Sequence, residues 1–327
     1  MAKPAAVRVL RSGLEESLHA VHVAVCDARG RLLASAGDPD RLVFARSCMK
    51  PLQAAVSLQE TGCERLSDRQ VAVICASHNG EPIHVRTVRS VLRRADLGEE
   101  DLRNPPGQPI DPASRPKGDV RRRIWQDCSG KHSGMLLGCV RRGWPTETYR
   151  SPGHALQRRV LAAVRAATGV ERPLVGVDGC GVPVHGVPLR AMATLYARLA
   201  EPERLGEALA PHVARATAAM RAEPYLVGGR HRVDTEVMSA TDDLVVKEGA
   251  EAMDCAVSLG AGVGIAVKVG DGGYRAAGVA LLHALDRLGL LDRAARTTLR
   301  AGSRPPVLGG DRPVGRLEPA FELRGRE

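Results

Sequence analysis

This chain of 327 residues has few aromatics: two Phe, two Trp and four Tyr, about 2% of the total. Proteins that grip single-stranded nucleic acid by base stacking need aromatic faces, so that class of partner is not expected here. A core so poor in rings has to be filled by Ala, Val and Leu. Lysine is scarcer still. Of 47 basic residues only Lys3, Lys50, Lys117, Lys131, Lys247 and Lys268 are lysine, and the rest are arginine. Long apolar runs are missing as well. No uncharged stretch reaches the roughly 18 residues that a membrane span needs. The first residues, MAKPAAVRVLRSGLEES, lack the apolar segment of about 7–15 residues typical of a secretory signal. The expectation is a cytoplasmic protein without a membrane segment. Its eight cysteines then read as free thiols or metal ligands rather than a disulfide framework. Cys26 and Cys75 lie in apolar runs and read as core residues, while Cys63, Cys139 and Cys255 carry no distinctive spacing.

What is present is a globular composition, with 44% hydrophobic residues and a length suited to one large domain or two modest ones. The net charge is +10, but the arginines are spread along the chain. The densest run, Arg121-Arg122-Arg123, is accompanied by no nucleic-acid-reading motif. The positive field is better suited to gathering small anionic substrates. In so arginine-rich a chain, a retained lysine is a candidate for chemistry that needs a neutral amine, which a guanidinium does not supply.

Periodicity places elements along the chain. His19 to Ala36 reads as a β-hairpin turning at Asp27-Ala28-Arg29-Gly30. Ser47 to Glu60 reads as a helix with Ser47 as its N-cap, Pro51 in the first turn and Thr61-Gly62 at its end. Ser67-Asp68-Arg69-Gln70 carries a capping signal before the strand-like run VAVICA. Residues 84–95, 134–142, 152–168, 189–199 and 203–222 read as helices, and 104–118 as a long Pro/Gly loop. Residues 174–186 read as a strand broken by a turn, 243–247 and 261–269 as strands, and 274–290 as mostly helical. The expected fold is α/β: one mixed or antiparallel sheet built from N- and C-terminal segments, with a helical lobe inserted. Residues 1–300 are expected to form one two-lobed catalytic domain, and 301–327 a Pro/Arg-rich, extended or loosely packed tail.

Four constellations carry chemistry. In Ser47-x-x-Lys50, positions i and i+3 of a helix share a face, so hydroxyl and amine fall within reach of each other. Serine needs an adjacent base to act as a nucleophile, and a neutral lysine is one. The alternative is an ordinary N-cap serine beside a solvated lysine. Ser77-His78-Asn79-Gly80-Glu81 puts a hydroxyl and a carboxylate in a loop, where binding groups often sit, or is simply a connection built on Asn-Gly. Cys128-Ser129-Gly130-Lys131-His132 and Asp178-Gly179-Cys180-Gly181 together offer zinc donors, although their spacing matches no standard finger, and free structural cysteines are the plainer reading. Lys268, in Gly264 to Gly273, stands on a strand otherwise apolar, either snorkelling at an edge or pointing into a site.

Taken in order, these segments resemble the inducible, thermolabile asparaginases of the Rhizobium etli type, the asparaginase II family. The likeness rests on Ala45 to Ala54, Ala76 to Glu81, Cys128 to His132, Asp178 to Gly181 and Gly264 to Gly272. Arg232 to Met238 and Lys247 to Glu251 add to it. The resemblance implies a fold like the serine β-lactamases and glutaminases, and a homodimer. It implies Ser47 as nucleophile, Lys50 as base, and Ser77 with Lys268 as a second polar pair tuning the first. It implies one zinc ion held by Cys128, Lys131 and Cys180, and Glu81 and Asp178 as contacts to the substrate's α-amino group. The implied reaction is hydrolysis of L-asparagine to L-aspartate and ammonia through an acyl-enzyme. Two alternatives remain at this stage: a glutaminase or amidase on the same architecture, and a catalytically inert zinc-binding protein on this scaffold. Cys48, next to the expected nucleophile, departs from the pattern and reads as an oxidation liability.

Overall fold

The strand β2 (Leu14–Asp27) shows in its burial how the sheet is built. Its first half is mostly exposed, whereas Val23 to Cys26 are all buried, because there the strand has neighbours on both sides. The computed structural model describes residues 5–61 and 65–325, so Lys3, Gly62 and Cys63 lie outside the described residues. The chain forms two compact units. One comprises the residues up to Cys48, Val187–Glu201, and those from Glu236 onward; the other is Met49–Gly186 with Pro202–Thr235.

The first unit is a nine-stranded sheet with helices against it. Its strands are β1 (Ala6–Arg11), β2, β3 (Leu32–Ala36), β7 (Leu244–Gly249), β8 (Met253–Ser258), β9 (Val263–Val269), β10 (Pro306–Gly309), β11 (Arg312–Ala320) and β12 (Arg324–Gly325). The main order is β10-β11-β1-β2-β9-β8-β7, with β3 pairing β2 and β12 pairing β3. The ladders are antiparallel, with Val21↔Val269 and Lys247↔Cys255 among the registered pairs. N- and C-terminal segments thus make one antiparallel sheet, as the sequence predicts. β7 and β8 are buried along their whole length, which suits their Val- and Ala-rich sequences. The helices α6 (Leu189–Ala200) and α10 (Tyr274–Arg287) pack on β9 and β8.

The second unit is helical. It holds α1 (Lys50–Thr61), α2 (Asp68–Ile74), α3 (Pro82–Leu92), α4 (Ser129–Arg142), α5 (Ala155–Thr168), α7 (Ala210–Ala222) and the short α8 (Pro224–Val227). The strands β5 (Leu174–Val177) and β6 (Pro183–Pro188) form a hairpin in it. α1 packs against α4 and α7, with Leu52, Val56 and Leu58 buried. This is the inserted lobe, cored by small aliphatic side chains rather than rings.

Three local expectations change. VAVICA is not a strand: α2 covers Asp68–Ile74, started by the reciprocal Ser67–Gln70 capping box. α4 begins at Ser129, five residues before the apolar periodicity starts, because Gly130 and Ser133 hide its first turn from a hydrophobic count. The Pro/Arg-rich end is extended but not loose, since β11 is hydrogen-bonded between β1 and β10, with Leu317 buried. Proline removes a donor but leaves the neighbouring residues free to pair.

Candidate active site

Ser47 stands in a short 3-10 turn, Arg46–Met49, that leads directly into α1. It is therefore not the N-cap of a long helix, as its position in the sequence predicts. The residue before it, Arg46, has φ +46°, a left-handed conformation that a side chain rarely adopts. Such strain persists where the surroundings over-determine it, and here Cys48 does so. Its Sγ lies within hydrogen-bonding distance of the carbonyls of Lys247 (3.1 Å) and Met253 (3.0 Å), which share its single hydrogen, while its own carbonyl accepts from the Tyr196 hydroxyl at 2.9 Å. The thiol that reads as a liability in the sequence is fully buried and ties the Ser47 turn to the β7–β8 hairpin. Gly249 makes the approach possible: a Cβ there would stand 2.8 Å from the Met253 carbonyl and 3.0 Å from Cys48 Sγ.

Lys268 belongs to the same unit. Its Nζ donates to the carbonyls of Val269 (2.6 Å) and Glu251, and Glu251 in turn pairs with Arg46 at 4.0 Å. Burial lowers the Lys268 pKa, partly countered by Glu251 and assisted by the charges of Arg41 and Arg46. Lys268 thus sits in the electrostatic neighbourhood of the residue that precedes Ser47.

In the helical unit, Lys50 opens α1 and is fully buried. Its Nζ donates to Ser77 Oγ and to the Ala76 carbonyl, both at 2.7 Å, and lies 3.8 Å from Asp127 Oδ2. Two stops define the loop that carries Ser77. α2 is capped at Cys75, and Pro82 starts α3. The Ser77 amide donates to the Val227 carbonyl at 3.0 Å, and Arg232 Nη1 donates to the Ser77 carbonyl (3.1 Å) and Asn79 Oδ1 (3.2 Å). The Ser77 backbone is therefore held at both its amide and its carbonyl.

Glu81 is buried at the end of that loop. Its carboxylate accepts from the Tyr225 hydroxyl (2.6 Å), the Arg230 amide (3.0 Å) and Asn79 Nδ2 (3.3 Å). Burial alone would raise its pKa, but these donors outweigh it and the net shift is downward. Both oxygens already have donors without any ligand.

The thiols converge at the start of α4. Cys128 is its N-cap, Lys131 follows one turn on, and Cys180 sits in the tight β5–β6 turn closed by the Gly181 amide on the Asp178 carbonyl at 2.8 Å. Lys131 Nζ donates to Cys180 Sγ at 3.1 Å and lies 3.9 Å from Asp178 Oδ2. A hydrogen bond from Cys128 holds the Cys180 thiol well below its ordinary pKa, with the charge of Lys131 adding to it, and pushes the Cys128 thiol well above. Burial alone would lower the Lys131 amine, but Cys180, Cys128 and Asp178 outweigh it and hold it above the usual range. The cluster thus brings two buried sulfurs and a buried amine together, each shifting the others' proton affinity. Among the described residues no three His, Cys, Asp or Glu side chains are arranged to hold a metal. Two sulfurs and an amine nitrogen are nonetheless a donor set that fits zinc. Zinc binds thiolates and a neutral amine, so it has to displace whatever protons these groups carry. Lys50 lies close enough for its charge to act on Cys128, so the two clusters are neighbours within the helical unit.

The model of the L-asparaginase II family matches residues 7–319. The chain belongs to the L-asparaginase II family. Among curated proteins the comparison found no match. Among solved structures, a β-lactamase from Mycobacterium bovis is similar at 17% identity with a TM-score of 0.39, over 86% of this chain and 95% of that one.

Membership of the L-asparaginase II family implies an amidohydrolase with asparagine as its substrate. Within the helical unit, Lys50 meets Ser77, and Cys128, Lys131, Cys180 and Asp178 meet one another, whereas Glu81 is held by Tyr225 and Arg230. Ser47 and Lys268 belong to the sheet unit. Sequence reasoning missed Asp127, although it directly precedes Cys128, and Arg232, although it opens a motif typical of the family. It also missed the anchoring role of Cys48, for which nothing in the sequence is a signal, because the partners are backbone carbonyls about 200 residues away.

Proposed function

We propose that the chain hydrolyses L-asparagine to L-aspartate and ammonia, with Ser47 as nucleophile and Lys50 as the base that serves it. The observation that carries this reading is the fully buried Lys50 amine with two committed hydrogen bonds. A neutral amine has two N–H bonds and one lone pair. The Ala76 carbonyl and Ser77 Oγ take the two hydrogens, and the lone pair is left to accept a proton. Ser47 precedes Lys50 by three residues along the chain, in the short turn that leads into α1.

The reaction then balances without further groups. Ser47 Oγ passes its proton to Lys50 and attacks the side-chain amide carbon. The amide nitrogen takes the proton from Lys50 and leaves as ammonia, so that a β-aspartyl ester remains on Ser47. Water, giving its proton to Lys50, attacks the ester; the proton returns to Ser47 and aspartate leaves. Ser77, accepting from Lys50, has its own hydroxyl hydrogen free to steady the departing nitrogen. Lys268, beside Arg46, keeps positive potential near Ser47. Glu81 and Asp178 are assigned to the substrate's ammonium, with Tyr225 holding Glu81 in place.

Zinc, where bound, would be held by Cys128, Lys131 and Cys180 and would fix these three side chains beside the Lys50–Ser77 pair. The assembly assigned is a homodimer. The test is ammonia release from L-asparagine by the purified chain, with L-glutamine as comparison. Loss of release in Ser47→Ala, at unchanged circular dichroism, supports the assignment. Full activity in that variant removes it.

A further inference from the structure

Arginines occur along the whole chain, but residues 293–316 hold six of them against a single acid, Asp311, which is half of the net +10. They lie in the sheet unit, on and around α11 (Arg293–Thr298), α12 (Arg300–Ser303) and β11. Arg296 pairs with Asp286 at 2.6 Å, and Arg316 with Glu318 at 2.8 Å. Glu318 is also the partner of Arg8, so one carboxylate faces two guanidiniums. Arg300 and Arg304 pair with no carboxylate among the described residues. Arg300, Arg304 and Arg316 line an open groove of about 720 Å³ with Thr297 and Thr298. Three guanidiniums on one concave surface repel one another unless an anion lies among them. Forked N–H pairs suit phosphoryl oxygens in particular.

A second, more enclosed pocket of about 180 Å³ adjoins the groove, with Arg304 in both walls. Leu282, Leu291, Leu299 and Pro319 make its apolar wall, and His283 and Asp286 its polar edge. The elements around it are fixed. Asp292 Oδ1 caps α11 by accepting from the Ala295 amide at 2.7 Å, and the Leu317 amide donates to the Pro305 carbonyl at 2.9 Å. Gly302 lets α12 lie close against α10, since a Cβ there would stand 3.2 Å from Leu282 Cδ1. His283 Nε2 stands 3.0 Å from the Phe321 carbonyl. A carbonyl only accepts, so Nε2 carries the hydrogen, and in the neutral ring Nδ1 keeps a lone pair. That lone pair meets no partner among the described residues.

We infer that the groove and the pocket together bind an adenine nucleotide with two or more phosphates. The phosphate chain lies along Arg300, Arg304 and Arg316. The base enters the pocket, its faces on the leucines and its exocyclic amine donating to His283 Nδ1. A simple anion leaves the pocket unfilled, and an alkyl chain leaves the His283 acceptor unmade. The two volumes together fall in the range of small-molecule sites, roughly 300–1,000 Å³. None of these residues takes part in the proposed reaction.

The experiment is calorimetric titration of the full-length chain with ATP, inosine triphosphate, inorganic triphosphate and a single-stranded oligoadenylate. The inference expects saturable ATP binding, weakened roughly 10- to 100-fold in Arg300→Ala and in Arg304→Ala, as loss of a charged hydrogen bond does. Inosine triphosphate, which lacks the exocyclic amine, and inorganic triphosphate are expected to bind more weakly than ATP. His283→Phe, checked for folding by thermal melting, is expected to lower ATP to the affinity of inosine triphosphate and to leave inorganic triphosphate unchanged. No saturable ATP binding, or parent affinity in either arginine variant, overturns the inference. Inorganic triphosphate binding as tightly as ATP overturns the base pocket. Oligoadenylate binding more tightly than ATP overturns the assignment to a free nucleotide in favour of nucleic acid.

Discussion

Replacing Lys50 by Met separates what the buried amine does for the fold from what it does for the reaction. The side chain is fully buried and Met is close to it in volume, so no large cavity opens. Two hydrogen bonds of 2.7 Å disappear, leaving Ser77 Oγ and the Ala76 carbonyl without that donor. If the amine is charged, its attraction to Asp127 at 3.8 Å is about 4 kcal/mol at an effective dielectric near 20. Against this stands the several-kcal/mol cost of taking an ammonium out of water, which Met does not bear. The opposing terms are of similar size, so the net change in stability is expected to stay within about 2 kcal/mol. The catalytic effect has no such compensation: losing a general base costs roughly 10²–10⁴ in rate. Urea unfolding and steady-state ammonia release on the same preparation make the comparison. Lys50→Arg is the second arm, because a guanidinium has no lone pair to offer and is not expected to restore turnover. Near-parent kcat in Lys50→Met would refute the assignment of the base.

Other predictions follow from separate parts of the structure. Cys128→Ser with Cys180→Ser is expected to abolish stoichiometric zinc by atomic absorption, and in the parent chain zinc uptake releases protons that an unbuffered titration registers. His185 has its pKa lowered to about 4 from 6.5 by burial, with the charge of Lys131 adding to it. The unfolded chain therefore binds a proton that the folded one refuses between these values. Stability is full above pH 6.5 and falls as pH drops toward 4, by at most on the order of 3 kcal/mol, in the metal-free protein. His185→Leu should flatten the profile in that window when unfolding is followed against pH. Gly249→Ala should cost about 1–3 kcal/mol through overpacking against Met253 and Cys48, and lower turnover by displacing the Ser47 turn. Thermal melts and ammonia release test both halves of that statement.

The sequence and the structure agree where periodicity is strong and local. The β2–β3 hairpin, α5 and α10 follow directly from apolar spacing and turn residues. Where polar or small residues open an element, as at Ser129-Gly130 in α4, hydrophobic periodicity starts too late. The run VAVICA is apolar enough for either state, and the capping box before it decides for helix. The contacts that shape the site are long-range and often involve backbone. Lys50 on Ala76, Cys48 on Lys247 and Arg232 on Ser77 pair side chains with carbonyls, which no residue pattern encodes. The scarcity of lysine draws attention to six positions. Motif context narrows the lysines to Lys50, Lys131 and Lys268, but in the structure Lys247 is equally buried and also donates to a carbonyl, so hydrogen bonding alone does not set the three apart.

The central claim is a covalent intermediate on Ser47. The direct measurement is rapid acid quenching of the full chain during turnover of L-asparagine, followed by peptide mass spectrometry. The account predicts a β-aspartyl adduct on the peptide containing Ser47, absent from Ser47→Ala. An adduct on Ser77 instead, or undiminished turnover in Ser47→Ala, would contradict it.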